Sequence, residues 1–461
     1  MRKPLALCLS IAACAWGAVP TPKEHLGFTP GDDHKLADYA QVAGYFRKLA
    51  ASSDRLRLVE FGKSSGGKPM LVAFISTPEN LRRLDHHRQV SRRLARGEAT
   101  EEEARKLAAE GKVIVWIDSG LHASEVAPVQ HSFELAFRML TDEGEEARRI
   151  RQNVILMQIP VINPDGLDWV AHWYRQNVGT PYELASLPRL YQKYAGHDNN
   201  RDLFMLNLEE TRHVTRLLFQ EWFPQIVYNQ HQSPAFPARI FVPPHAEPLN
   251  PNIPASVQEG VTLIGAAMRE RFARENKPGV LSYYGYDAWW NGGLRAVPAF
   301  HNMHGILTET ALHSYATPRD YKLTDLPDRF PNGIPPRSRP SSTRDRGWAG
   351  AGAFATPSTT CSPPISPFST WPPRAVSISC GRRMRSRATI SKRARKANRS
   401  PTSSRRRSGT ARAPSRCCAV CRPPASTCAA RAPNSAPARR VIPKEAGCCR
   451  RVSLSARTWW T

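Results

Sequence analysis

Three side chains far apart in this sequence have the types and spacing to share one cation. His122 and Glu125 form an H-x-x-E pair directly after the apolar run 113–117, where a tight turn can aim both at one point. Imidazole with carboxylate suits zinc, and a catalytic zinc takes three protein ligands and keeps one position open. Such a pair by itself is more often a surface salt bridge. His231 changes the balance, because it closes another apolar run 106 residues after Glu125 and supplies the third ligand. Glu309, in Thr308-Glu309-Thr310, ends a further apolar run, where an unpartnered charge would be expensive.

The elements that must position these groups follow a repeated pattern. Runs 113–117, 154–162, 226–228 and 305–307 are of strand length and are followed at once by DSGLHASE, NPDG, NQH and TET. Helical periodicity fills the intervals at 126–141, 208–221 and 257–275. Alternating strands and helices predict an α/β fold with a mixed, largely parallel central sheet covered by helices on both faces. Ligands of such sheets gather outside the carboxyl ends of strands. The four polar clusters should therefore meet at one edge. Upstream, the spacing of Leu36, Tyr39, Val42, Ala43, Phe46 and Leu49 predicts a helix over 33–52. Two strands then flank GKSSGGK as a hairpin, and 79–110 reads as helical with a solvated charged face. Gly66-Gly67-Lys68 joins two strands and lacks the following helix of a phosphate loop.

His122-x-x-Glu125, Asn163 to Gly166 (NPDG), Asp198-Asn199-Asn200-Arg201, His231 and Thr308-Glu309-Thr310 together resemble the zinc carboxypeptidase family of carboxypeptidase A type, in its order and near its spacing. The likeness covers about residues 30–335. It implies one Zn2+ per chain held by His122, Glu125 and His231, with Glu309 as general base toward a zinc-activated water. It also implies that Asn200 and Arg201 hold the substrate's terminal carboxylate and that Arg175, in HWYRQN, polarises the scissile carbonyl. Asp198 is the expected acceptor for the free ring N–H of His122. The family's mobile tyrosine falls among Tyr283, Tyr284 and Tyr286, with Tyr284 and Tyr286 taken as substrate-binding. Leu294 and Arg295 lie where an acidic or apolar side-chain preference would be set. Asn163 and Asp165 are expected as turn formers. His301 and His304 are expected to pack, and His86, His87, His131, His197, His213 and His313 are assigned to surface or core.

Charge and cysteine separate this body from the rest. The chain has 461 residues with 65 Lys and Arg against 39 Asp and Glu; residues 336–461 hold 27 of the basic and 2 of the acidic ones, so residues 1–335 are near neutral. Eight of ten cysteines lie in the same tail and none falls within 15–335, which excludes a disulfide-stapled or cysteine-ligated body. With 24 Arg against 3 Lys and no periodicity, the tail reads as low-complexity, disordered and out of frame. Residues 1–19 read as an export signal, from the basic start and the short apolar run, with a lipoprotein-like box that could acylate Cys14. The domain expectation is thus signal 1–19, catalytic body 20–335 and tail 336–461. The expected protein is an extracytoplasmic monomer without a transmembrane segment, cleaving C-terminal residues from peptides or proteins and recognising no specific nucleic acid. Three alternatives stand beside it: a zinc amidase or deacylase for cell-wall peptides or N-acyl amino acids, an unstable pseudoenzyme, and a basic protein that binds nucleic acid through its tail.

Overall fold

Each apolar run read as a strand is one in the computed structural model, which describes residues 18–321, Phe330 and the backbone of Val452–Leu454. In chain order the strands are β1 (Leu56–Lys63), β2 (Pro69–Ile75), β3 (Val113–Asp118), β4 (Val154–Ile159), β5 (Ile226–Ser233), β6 (Ile240–Phe241), β7 (Ala246–Leu249), β8 (Val280–Leu281), β9 (Asp287–Ala288) and β10 (His304–Ala311). Eight form one sheet in the order β1-β2-β4-β3-β5-β10-β6-β8. Its centre, β4-β3-β5-β10, is parallel throughout. The β1-β2, β2-β4 and β10-β6 pairs are antiparallel, giving the expected mixed sheet. β7 pairs with β9, and Arg319–Tyr321 pairs with Val452–Leu454, in separate two-stranded ladders.

Strand alternation sends side chains into two cores, one on each face. On one face Val115, Ile117, Leu156, Ile226, Tyr228 and Ile306 pack with the helices Tyr39–Ser52, Val126–Thr141 and Ala255–Arg274. On the other, Ile114, Trp116, Ile155, Met157 and Val227 pack with Val214, Leu217, Trp222 and Leu294. Burial on both sides is why these strands read as continuous apolar runs. The helix Tyr39–Ser52, which follows a short one at Pro22–Leu26, begins later than its apolar spacing suggests. Asp38 caps it through the Gln41 N–H at 2.9 Å, and the residues before it run non-helically.

The hairpin turn shows why a glycine is needed at its tip. Gly66 N donates to Asp165 Oδ2 at 2.7 Å, and a Cβ at residue 66 would sit 2.5 Å from Asp165 Oδ1. Asp165 opens the helix Pro164–Asn177, so NPDG is a helix start and not only a turn, with Asn163 Oδ1 accepting from Gly166 N at 2.9 Å. Gly66→Ala is expected to destabilise the fold by about 1–3 kcal/mol through overpacking, read as a lowered thermal midpoint.

The described residues all belong to one compact unit. Residues 1–17 of the export signal expected over 1–19, and the disordered, out-of-frame tail, fall outside the described residues, the backbone of Val452–Leu454 excepted. Among the described residues no helix is long and apolar enough to cross a membrane.

Candidate metal centre

The site forms where β3, β5 and β10 end. After β3 the chain turns through Ser119 to Ser124, pinned to the neighbouring loop by Ser119 N to Ile159 O (3.1 Å), Ile162 N to Ser119 O (2.9 Å) and Asn163 N to Gly120 O (3.0 Å). Gly120 makes this turn at φ +63, where a Cβ would meet Val129 at 2.7 Å. Glu125 follows as the residue preceding helix Val126–Thr141, but its side chain caps nothing there. Its carboxylate instead faces two buried imidazoles. His122 Nδ1 lies 2.7 Å from Oε1 and His231 Nδ1 lies 2.8 Å from Oε2, while Gln232 N donates to Oε2 at 3.0 Å. The turn after β3 and the end of β5 thus bring together residues 106 positions apart, as the sequence predicts.

Burial opposes the charge on Glu125, yet the His231 imidazole and hydrogen bonds from both histidines hold it well below the usual carboxylate range. Burial pulls His122 down to about 4, so it stays neutral and donates from Nδ1. His231 is pushed the other way: burial works against its charge, but Glu125 overrides it and raises its pKa. The group is therefore a carboxylate between two imidazoles, of which His231 is the one whose protonation the carboxylate favours. Its protons occupy the directions from which a cation would be held. Two imidazoles bonded to the two oxygens of one carboxylate offer the donor types that zinc takes, although the group of ligand atoms that all lie within 4.8 Å of one another among the described residues is His122, Glu125 and His197, without His231.

His231 is positioned by partners the sequence reading passed over. Its Nε2 contacts Asn229 Oδ1 at 2.5 Å, and Asn229 Nδ2 donates to Asp118 Oδ1 at 2.6 Å. Trp116 Nε1 donates to the other Asp118 oxygen at 2.7 Å. Complete burial raises Asp118 to about 7 against these two hydrogen bonds. The signal was available: positions i and i+2 of a strand share a face, so Asn229 and His231 point the same way. Asn229→Ala should leave the fold intact and weaken metal binding by roughly 10–100-fold, the usual cost of losing an outer partner, measurable by chelator competition.

Glu309 lies beside this group, directly opposite His231 in the parallel β5-β10 register. Burial pushes its carboxyl up to about 7, with Glu125 adding to the rise while His231 and Arg295 oppose it. Tyr286 donates a hydrogen bond to it, and Phe241 packs on the Tyr286 ring at 4.8 Å. Of the three tyrosines, Tyr286 reaches the carboxylate; Tyr284 is half-buried and Tyr283 is exposed. Arg295, read from sequence only as a preference residue, is a half-buried cation acting on Glu309 and Arg201, with Nε on Asp287 O at 2.7 Å. Arg201 is exposed at the rim, its Nη1 on Asn200 O at 2.9 Å and its guanidinium 5.7 Å over the Trp290 ring.

Three expectations are not met. Arg175 is turned away from the cluster; it donates to Leu36 O at 3.1 and 2.6 Å and to Asp38 Oδ2 at 2.8 Å, anchoring the N-terminal segment. Asp198 is exposed and leaves His122 Nε2 buried without a hydrogen-bond partner. Asn200 is buried with its amide engaged internally, Oδ1 accepting from Leu294 N at 2.8 Å and Nδ2 lying 3.4 Å from His231 Nε2. It supports the site and does not face outward. One residue placed by default at surface or core joins the cluster: His197 stacks on His122 with ring centroids 3.9 Å apart. His301 and His304 pack as expected, His301 on Phe219 and His304 with Nδ1 on Val257 O. Arg175→Ala is expected to change kcat/KM by less than about twofold and to lower stability by about 1 kcal/mol; steady-state kinetics and a melting curve check both.

The fold is of the metallocarboxypeptidase type, and residues 42–249 match the zinc carboxypeptidase family. The matched segment holds His122, Glu125 and His231, while Tyr286, Arg295 and Glu309 lie beyond it. A candidate carboxypeptidase A from Shewanella denitrificans is 13% identical, over 60% of this chain and 61% of that one, with a TM-score of 0.41. The carboxypeptidase A of Helicoverpa armigera is 16% identical over 78% and 79%, at 0.42. A metallo-carboxypeptidase from Burkholderia cenocepacia is 14% identical over 75% and 66%, at 0.40. This chain thus spans less than two thirds of the length of the Shewanella protein. Likenesses at this level assign no activity. No curated protein sequence matches the chain.

Proposed function

We propose that this protein is a zinc-dependent metallocarboxypeptidase that removes C-terminal residues from peptides, working outside the cytoplasm as a monomer. The observation that carries this is the meeting of His122, His231 and Glu125, with Glu309 in register beside His231. Zinc held by those three residues would supply a Lewis acid and acidify water. The chain's own groups do the rest. Glu309, withdrawn from bulk water and steadied by Tyr286, accepts the proton when ionised. Arg295 supplies a fixed positive charge beside it, the part sequence reading gave to Arg175, and would stabilise negative charge developing at the scissile carbonyl. Arg201, at the rim, offers a guanidinium whose paired N–H groups match a free carboxylate.

Arg201→Ala should raise KM by roughly 10–100-fold, the loss of one charge-assisted contact of about 1.5–3 kcal/mol, with a smaller change in kcat. The deciding experiment is zinc analysis of the purified chain with hydrolysis of an N-blocked dipeptide and of its C-terminal amide. One zinc per chain with cleavage of the free acid only supports the reading. Equal cleavage of the amide, or none of either by the zinc-loaded protein, would remove it. Release of acyl groups from N-acyl amino acids with no peptide cleavage would replace it by the amidase reading.

A further inference from the structure

We propose that His197 is a fourth, displaceable protein ligand of the metal, an imidazole cap over the position that His122, Glu125 and His231 leave open. This rests on the metallopeptidase reading above and adds a residue that the family likeness does not supply. Besides stacking on His122, His197 places Nε2 4.0 Å from Glu125 Oε1. His122, Glu125 and His197 each offer a ligand atom within 4.8 Å of the others. Two donors bonded tetrahedrally to one zinc at about 2.0–2.2 Å lie about 3.3–3.6 Å apart. The Nε2 to Oε1 distance of 4.0 Å would have to close by about 0.4–0.7 Å to reach that.

The far side of the ring is held as a ligand's ring should be. Tyr191 places its hydroxyl 2.6 Å from His197 Nδ1, which leaves Nε2 as the nitrogen facing Glu125. An imidazole anchored at one nitrogen and aimed by the other is the usual way in which an outer partner orients a metal ligand.

His197 nevertheless differs from the other donors. Its side chain is 58% exposed where those of His122 and His231 are 7% and 3% exposed. It sits on the short turn Gly196–Arg201, directly after Gly196 at φ 60. Three imidazoles and a carboxylate make a closed tetrahedral set, whereas catalysis needs an open position. An exposed ring on a short turn can leave where buried rings cannot. The cap therefore holds the ion in the resting protein and has to swing away before substrate enters.

The test uses the full chain, stripped and reloaded with zinc or with cobalt(II), as wild type, His197→Ala, His197→Gln and Tyr191→Phe. X-ray absorption of the zinc form should count three imidazoles in wild type and two in both His197 variants. Zinc affinity by chelator competition should fall roughly 10–100-fold in the His197 variants and by less in Tyr191→Phe. The cobalt(II) visible spectrum should change shape in the His197 variants and keep it in Tyr191→Phe. Two imidazoles in every protein, with affinities within twofold of wild type, would overturn the cap while leaving the metallopeptidase reading intact. A wild-type chain that holds no stoichiometric zinc would overturn both.

Discussion

Glu309→Gln is expected to lower kcat by roughly 10²–10⁴-fold, the range a positioned general base contributes, with one zinc per chain retained. The amide keeps the shape of the side chain and can still accept from the Tyr286 hydroxyl, so the pocket should not collapse. It cannot accept a proton from water. KM should change little, because Glu309 faces the reacting bond and Arg201 stands apart at the rim. A variant that loses zinc along with activity would instead make Glu309 part of the metal site, and one that keeps most of its kcat would remove it from the mechanism.

The same carboxyl sets the direction of the pH response. Burial holds Glu309 up at about 7 in the metal-free protein, above the ordinary 4.5. A raised acid pKa means that the folded state holds the proton more tightly than the unfolded chain. Its effect on stability is therefore absent below about 4.5 and becomes a growing loss as pH rises toward 7. Activity runs the other way, since only the ionised form can act as base, so kcat/KM should fall on the acid side. A bound dication favours the carboxylate, which places that acid limb below pH 7. Melting curves of metal-free wild type should fall more steeply between pH 4.5 and 7 than those of Glu309→Gln.

What could be read from sequence, and what could not, follows from how each residue is placed. β3, β4, β5 and β10 were legible because burial on both faces makes them continuous apolar runs. His122, Glu125, His231 and Glu309 were legible because each stands at the carboxyl end of such a run, and parallel strands gather those ends. β6, β8 and β9 are two residues long and carry no period to detect. Arg295, Tyr286 and His197 sit on irregular segments, whose direction is set by tertiary contacts and not by a repeat. Arg175 misled for a related reason. A helix presents all its faces in turn, and nothing in HWYRQN tells that Tyr174 points inward while Arg175 reaches Leu36 and Asp38. In Asp198-Asn199-Asn200 a tight 3-10 turn buries the two amides and exposes the acid, an order that the residue types alone do not dictate.

His231→Ala is expected to abolish both metal binding and hydrolysis, and it separates the metal from the fold as the source of function. Removing an imidazole from a three-ligand set should cost more than the roughly 10–100-fold in affinity that an outer partner contributes. The change also takes the imidazole N–H from Glu125 Oε2, leaving that oxygen with the Gln232 N–H and the carboxylate largely buried. Breaking a buried pair from one side costs about 3–5 kcal/mol, a large share of a typical folding free energy. Loss of activity alone would therefore be ambiguous. His231→Gln resolves this, because its amide can still donate to Glu125 and so should recover much of the thermal midpoint. If stability returns in the Gln variant while zinc and peptidase activity do not, the centre is what the chain needs for chemistry. If zinc stays bound at wild-type affinity in either variant, His231 is not a ligand and the assignment of the centre fails.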